Sequence, residues 1–592
     1  MPFDGLMLAA VQTELNKTIL GARMEKVYQP TKTDIIINLS RYRERYKLLM
    51  SAHPRDARIH LTFQSRENPS QPPTFCMVLR KHLEGGYIRE IEQPGLERIL
   101  KIHVDARDEL GGPSHKQLII EIMGKHSNIL LVDPLNERVI DGIKRYSHEL
   151  SRYREVLPGR PYISPPAQHK LHPFKVTEDE FRDILMGGSL DDKVFKVLQS
   201  NLEGFSTIMA REIVFRAQLP ENLTLNYCGE HEMRVLWQAL QSVIVPASKG
   251  EFIPTLIQDS NGKPLEFAAF DITRLEGYSR QYDDASRILD NYFTALRRLD
   301  LFRGEMQSLK TVISREIKRL EKKMALQTES ANNAEKAEEY RIFGELITAN
   351  IYRMKKCDKE VQLENFYDPE GKTVTIPLKA GLSPAENAQA YFKKYVKAKN
   401  TRQAAMEQAR KSTEELNYLQ GILLNIEQAN SLSHLEEIRQ ELMEQGYVKD
   451  TGGKEFRKKK EKRKIVSSPL SYKSSDGFLI LVGRNNKQND RLTMKMAKDN
   501  DIWLHTKDIP GSHVIIKTEG SDVPNNTVYQ AAVIAAYFSQ ARHSENVPVD
   551  YTRRKNVKKP RGAKPGYVIY EQQSTAVVTP DEELISSLAL EQ

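Results

Sequence analysis

Runs of apolar and polar residues change their period along the chain, and each change predicts a different kind of element. Short runs at Asp34–Leu39, Lys47–Ser51 and Arg58–Phe63 predict strands. Helical spacing of Leu6, Ala9, Ala10, Thr13 and Leu15 predicts a helix over Asp4–Leu20, and Phe75–Leu83 predicts another. Leu96–Ala106 alternates as a strand does, and that strand would put Arg98 on one face with Leu96, Leu100, Ile102 and Val104. Next comes LIIEIMGKHSNILLVD, Leu118–Asp133, which reads as two apolar strands joined by a polar elbow at Gly124–Asn128. A further strand is expected near Val139–Tyr146. Pro158, Pro161, Pro165 and Pro166 then close a mixed α/β domain over 1–172.

Residues 173–285 are mainly helical. Within them Leu202–Ala217 predicts a turn at Gly204 and a helix capped by Ser206. By spacing alone this is an ordinary helical connector, but it also resembles the second half of a helix-hairpin-helix, whose backbone N–H groups hold a phosphate. Ile253–Asp271 predicts a small strand pair. From 286 to 445 the pattern narrows to a seam of Leu299, Phe302, Met306, Leu309, Ile313, Ile317, Leu320 and Met324, as in a coiled coil. Leu416, Leu419, Leu423 and Ile426 supply the return arm of an antiparallel hairpin. Taken as one helix, 286–355 would span on the order of 100 Å, with Asn332-Asn333 as a point of interruption. A head over 357–382 separates the arms. In it, Val361–Tyr367 and Thr373–Leu378 flank a turn at Asp368–Lys372, and Ser383-Pro384-Ala385-Glu386 is a capping box that starts the second arm.

A basic linker (446–466) precedes a second mixed domain (467–573), with strands expected at Phe478–Val482, Asp501–His505 and His513–Lys517 and a helix at Tyr529–Gln540. The tail, 574–592, is expected to be loosely ordered. The fold class is therefore α+β multidomain: mixed N-terminal domain, helix-hairpin-helix domain, long antiparallel coiled coil with a small head, and mixed C-terminal domain.

Composition alone leaves a polyanionic partner and a merely soluble basic protein about equally open. The 592 residues carry a net charge of +9, and nucleic acid is the commonest partner of such a surface. Cys76, Cys228 and Cys357 lie far apart with no zinc spacing, so neither a structural metal nor a disulfide framework is expected. The start, MPFDGLMLAAVQTELN, lacks the basic n-region of a signal peptide, and no apolar run could span a bilayer. A cytoplasmic protein with no membrane partner is the expectation.

Candidate binding chemistry clusters in both mixed domains. A buried Arg98 needs an anionic partner or ligand, and a structural salt bridge, with Glu121 as one partner, explains it as well as a ligand does. At the elbow, Lys125 can pair with phosphate while His126 and Asn128 reach base edges; a solvated polar turn is the plainer explanation. In DNDIWLHTKDIPGSHVII, Asp499–Ile516, the residues Trp503, His505, Lys507, Asp508, Gly511, Ser512 and His513 suggest base stacking, although a core tryptophan under a turn fits equally. Arg484 to Arg491, with Asn485 and Asn486, forms a dense polar loop. The acid-free run Arg553–Lys564 on its own reads as a solvated surface; together with the linker lysines it flanks the C-terminal domain with positive charge, which favours a phosphate backbone. Gly371-Lys372-Thr373 lacks the upstream glycine of a phosphate loop, and no nucleophile with its base is evident. A non-enzymatic binder without cofactor is expected.

The motifs MPFDG, PGLER (94–98), EIMGKHSN (121–128), GRNNKQNDRLTMKMA (483–497) and DIWLHTKDIPGSHVII (501–516) resemble those of the NFACT family of ribosome quality-control factors in its bacterial form. The resemblance covers Met1 to about Gln573. It implies a protein that binds large ribosomal subunits still carrying peptidyl-tRNA, through rRNA and the stalk-base protein. It further implies recruitment of alanyl-tRNA for template-free alanine tailing, with a small S4-like RNA-binding partner. The family's Asp-Arg pair and EIM segment, which handle tRNA, fall on Glu97, Arg98, Glu121, Ile122 and Met123; Glu97 departs by one methylene. Two rival functions fit the sequence less well. A DNA glycosylase/AP lyase would use Pro2 as nucleophile, but Phe3 replaces the needed glutamate and zinc cysteines are absent. A fibronectin-binding surface protein would be expected to carry a signal peptide, an anchor or adhesin repeats.

Overall fold

Helix α1 (Gly5–Thr18) begins where Asp4 accepts the Met7 N–H at 2.8 Å, a side-chain cap that meets one of the helix's orphan donors. It packs into an antiparallel nine-stranded sheet made of β1 (Arg23–Tyr28), β2 (Asp34–Arg41), β3 (Glu44–Ser51), β4 (Arg58–Leu61), β5 (Tyr87–Glu92), β6 (Ile99–Arg107), β7 (Pro113–Glu121), β8 (Asn128–Asp133) and β9 (Arg138–Gly142), in the order β4-β3-β2-β1-β5-β6-β7-β8-β9. Helix α2 (Thr74–Leu83) buries Phe75, Cys76, Leu79 and Leu83 in the same core. This computed structural model describes residues 3–590 except 109, 150–152, 167, 261, 276–277, 334–336 and 450–467. The chain divides into two compact units, 1–299 and 300–592.

The rest of the first unit is helical. It comprises α3 (Glu178–Met186), α4 (Val194–Asn201), α5 (Thr207–Arg216) and α6 (Glu230–Ser248), followed by a three-stranded sheet of β10 (Thr255–Gln258), β11 (Pro264–Ala268) and β12 (Ser279–Tyr282). Ser206 caps α5 by accepting from the Met209 N–H. The first turns of α7 (Ala285–Asn333) close the exposed edge of the large sheet. Leu61 N donates to Ser286 Oγ at 3.0 Å, and Phe63 N to Asp290 Oδ2 at 3.0 Å. Covering an edge in this way removes a template for unwanted strand pairing.

In the second unit, Leu309, Ile313 and Leu320 of α7 are buried against Tyr418, Leu419, Ile422 and Ile426 of α9 (Pro384–Gln428) and against α10 (Leu432–Glu444). Of the stretch considered as one helix over 286–355, the described residues are helical through Asn333 and again in α8 (Ala337–Ala349). The small head is a hairpin of β13 (Glu360–Glu364) and β14 (Thr373–Pro377). Ser383 and Glu386 form a reciprocal capping box at α9, with Pro384 in its first turn. Beyond it, β15 (Leu470–Lys473), β16 (Leu479–Val482), β17 (Ile502–Thr506), β18 (Val514–Lys517), β19 (Val547–Arg553) and β22 (Ser574–Val578) build an antiparallel sheet in the order β15-β16-β18-β17-β19-β22. A pair of two-residue strands, β20 (Val557–Lys558) and β21 (Ile569–Tyr570), lies beside it. Helix α12 (Asn525–Tyr537) packs on the sheet.

Several expectations are corrected here. The polar loop at 484–491 contains helix α11 (Asn486–Arg491). The described part of the tail, 574–590, is structured: β22 pairs with β19, and α13 (Glu582–Leu588) buries Ile585 and Leu588. Strand β6 starts at Ile99, so Leu96, Glu97 and Arg98 lie in the turn before it; Leu100, Ile102 and Val104 face the main core without Arg98 in their row. The linker lysines at 454–464 and Pro2 lie outside the described residues. No helix among the described residues is long and apolar enough to cross a membrane.

Candidate nucleic-acid interface

Arg98 sits where three distant segments meet. Gly5 N donates to Gly204 O at 3.0 Å, Leu96 N to Glu203 Oε1 at 3.0 Å, and Gln93 Nε2 to Gly5 O and Glu97 O. Beneath them Ser206 Oγ donates to Asp4 Oδ2 at 2.6 Å. The half-buried Arg98 guanidinium therefore lies in the field of Asp4 and Glu97. Burial pulls its pKa below the ordinary guanidinium value, and those two carboxylates oppose the fall. Burial also raises the Glu97 pKa, helped by Glu203 and opposed by Arg98. Lys170 adds a cation near enough to Arg98 for the two to repel.

The PGLER turn and the GKHSN elbow are neighbours, joined by Ile122 N donating to Arg98 O at 2.8 Å. Gly124 takes φ 61° and opens a 3-10 turn over Gly124–His126. The residue without a Cβ is the one that meets this left-handed requirement cheaply. Ser127 Oγ accepts the Met123 N–H at 2.8 Å and closes the loop, leaving Lys125 and His126 exposed and Met123 half-buried. Lys144, from the segment after β9, donates to Lys125 O at 3.4 Å and brings another ammonium to the tip.

Other residues of this motif turn inward. Asn128 is fully buried: its Oδ1 accepts from Ile129 N and Lys144 N, and its Nδ2 donates to Lys144 O. Its amide is thus engaged within the elbow. Glu121 is also fully buried, and it pairs with Arg154, whose Nη1 lies 2.7 Å from its Oε1, instead of with Arg98. Tyr162 donates to the same carboxylate at 3.1 Å. Ile122 is in the core. Glu121, Ile122 and Asn128, expected as contact residues, are buried in this structure. Asp4, Lys144, Arg154, Lys170 and Glu203 escaped sequence reasoning, because no local period links them to the motif.

In the C-terminal domain the core explanation holds for Trp503. Its ring has 0% exposure and lies 5.8 Å from His505, 5.4 Å from His513 and 4.8 Å from Tyr570. It cannot stack on a base without unfolding its surroundings. Ser512 and His513 are buried too, and Thr493 Oγ1 meets His513 Nδ1 at 2.8 Å. His505 is half-buried, and Asp508 is exposed on a turn at φ 57°. The GRNNK segment docks on α10: Arg484 meets His434 at 2.6 Å, Asn485 donates to Glu437 at 2.7 Å, Asn486 to Glu441 at 3.1 Å, and Lys487 pairs with Glu444 at 2.7 Å. Asn485 also caps α11. These asparagines are buried hydrogen-bond partners of the acidic helix face, with little left to offer RNA. The run at 553–564 finds acids elsewhere in the chain: Arg554 pairs with Asp499, Lys559 with Asp490, and Lys564 lies 4.5 Å from the Tyr418 ring centre. Arg553, Lys555, Lys558 and Arg561 stay exposed and form a cationic surface.

The buried histidines make this domain acid-sensitive. Burial first, and then His505, pushes the His513 pKa down from 6.5 to about 3, and burial lowers His505 as well. Between those values the unfolded chain binds a proton that the folded one refuses, so stability falls as pH drops. From pH 7 to pH 5 the loss at His513 is about 2 kcal/mol. Trp503 fluorescence in a Trp237→Phe background reads this directly; a denaturation midpoint unmoved over that interval would contradict it.

Exposed cations grouped over shaped turns in both units define a protein built to hold a polyanion, and relatives narrow the class. Residues 4–464 match the family described as NFACT N-terminal and middle domains, and 469–572 match the NFACT protein RNA binding domain. The chain belongs to the NFACT family. It is 42% identical over 589 residues to the Rqc2 homolog RqcH of Bacillus subtilis, covering 99% of this chain and 100% of that one. The human ribosome quality control complex subunit NEMF is 32% identical over 144 residues, 24% of this chain and 12% of NEMF. A solved fibrinogen binding protein from Staphylococcus aureus is 31% identical, covering 50% of this chain and 99% of that one, at a TM-score of 0.42.

Proposed function

We propose that this chain is a cytoplasmic ribosome quality-control factor that binds large subunits carrying peptidyl-tRNA and recruits alanyl-tRNA for template-free alanine tailing. Peptide-bond formation is left to the ribosome, so the protein is a translation factor and not an enzyme. In this reading Arg98, Lys125 and His126 grip the tRNA backbone, and Glu97 tunes Arg98. Glu121, Met123 and Asn128 hold the surface in shape. Helices α4 and α5 act as a helix-hairpin-helix. The paired α7 and α9 act as a coiled-coil lever that carries the head toward rRNA and the stalk-base protein. A small S4-like RNA-binding protein is the expected co-factor protein.

The single observation that supports this most is the joining of the PGLER turn to the elbow through the Ile122–Arg98 bond, in a chain matched end to end by RqcH. That bond places a half-buried guanidinium beside exposed donors, an arrangement suited to phosphate. Arg98→Ala is expected to reduce alanine tails on stalled nascent chains at least about tenfold. Co-sedimentation with the large subunit should persist. Tails of normal length in the variant would remove Arg98 from this role.

A further inference from the structure

We propose that the hairpin formed by β2 and β3, together with the adjoining outer face of β1, is a second RNA-binding surface that takes an unpaired stretch of RNA. It goes beyond the tRNA surface at Arg98, and uses other strands. The register puts the cations in rows. Arg23 lies opposite Ser40, which lies opposite Arg45; Lys26 lies opposite Asn38, which lies opposite Lys47. Ser40 and Asn38 are two residues apart on β2, so both rows share one face. Ile37 and Leu39 point to the other face and are fully buried. Two rows of paired cations are thus fixed across neighbouring strands, at a spacing of about 4.8 Å per strand.

The tip of the hairpin adds the chemistry for bases. Its last register pair is Arg41 with Glu44, so Tyr42 and Arg43 form a two-residue turn. Tyr42 is 93% exposed and takes φ 55°, a conformation that glycine or asparagine ordinarily fills. A tyrosine here strains the backbone and buries almost none of its ring. The Arg41 guanidinium lies 5.3 Å from the ring centre and donates to the Lys17 and Thr18 carbonyls, which fastens the base of the turn to the end of α1. Tyr87 is 53% exposed and pairs with Arg23 on the opposite side of β1. Tyr87 therefore extends the Arg23–Ser40–Arg45 row by one strand, and Tyr42 lies beyond that row at the hairpin tip.

The charges are available. Among the described residues Arg23, Lys26, Arg43 and Arg45 make no ion pair, while Lys47 donates to Ser65. Of the nearby acids, Glu44 is engaged by the Tyr46 hydroxyl, and Glu25 sits at the β1 bulge between Met24 and Lys26. Cations for phosphates with rings for unpaired bases are what a single-stranded ligand needs. A duplex would leave the rings without a partner.

The test uses the full chain with labelled oligouridine. Arg43→Ala/Arg45→Ala is expected to weaken binding about tenfold and to reduce the slope of log affinity against log salt by about 1.4, or about 0.7 for each lost phosphate contact. Tyr42→Ala should weaken binding by about tenfold with the slope unchanged. A 4-thiouridine probe should crosslink within β1 to β3, and should still do so in the Arg98→Ala chain. Tyr42, Arg43 and Arg45 are exposed, so the melting temperature should not move in the variants that replace them. The proposal is overturned if affinity and slope are unchanged in the double variant, or if no crosslink falls on these strands. It is equally overturned if the double variant keeps its RNA affinity but loses an acidic protein partner.

Discussion

Gly5→Ala is expected to destabilise the first unit by about 3 kcal/mol, the upper end of what overpacking costs. A Cβ at Gly5 would lie 2.0 Å from Leu96 O and 2.6 Å from Gly204 Cα. Both are backbone atoms, so no side-chain rotation relieves the clash. The opposing residue is equally constrained: Gly204 stands at φ 73°, and its own Cβ would lie 2.7 Å from Leu96 O. The Gly5–Gly204 hydrogen bond must stretch or the PGLER turn must move. Either change reaches Arg98 two residues on, so RNA binding at the elbow should weaken together with stability. Hydrogen exchange at β6 and α5 would follow the loosening. A stability loss below about 1 kcal/mol would mean that the junction gives way more easily than its geometry implies.

How far the sequence could be read depended on whether an element's partners were local. Strands β2, β3, β4, β7 and β8 were legible because their own alternation or apolar runs carry the signal. The cap at Ser383 and the helix start at Ser206 were legible for the same reason: both hydrogen bonds close within three residues. Strands β1 and β5 were missed. Each carries a bulge, at Met24/Lys26 and at Ile88/Glu90. One extra residue shifts the two-residue period and erases it over so short a strand.

The candidate site shows the same division. Lys125 and His126 lie exposed in the turn that their neighbours in sequence imply. The fate of Arg98, Glu121 and Asn485 depended on Asp4, Arg154 and Glu437, each tens of residues away. The GRNNKQNDR segment is polar on every side and reads as a loop, yet the acidic stripe of α10 satisfies its buried amides. A charge pattern reports what a residue can bind, and only the fold decides which partner reaches it first. Trp503 makes the point from the apolar side, since two histidines and a tyrosine occupy the faces a base would have used.

Glu121→Ala should cost about 3–5 kcal/mol, because it strands the Arg154 guanidinium in the interior. Arg154 has 8% side-chain exposure and Glu121 none. Arg154 would keep its bond to Ile163 O at 2.8 Å, but no counter-charge. Tyr162 would lose its acceptor, and Tyr146, whose pKa burial and then Glu121 push up to about 12, would lose that neighbouring charge. The double variant Glu121→Ala/Arg154→Ala removes both charges and should recover part of the loss, giving a coupling of at least about 1 kcal/mol in a double-mutant cycle. This separates two roles for the EIM segment. If Glu121 positions the elbow, the double variant should regain RNA binding roughly in proportion to the stability it regains, whereas Lys125→Ala should weaken binding with stability unchanged. Were Glu121 a direct tRNA contact, the double variant would bind as poorly as the single one, and a crosslink from tRNA to residue 121 would be found in the native chain.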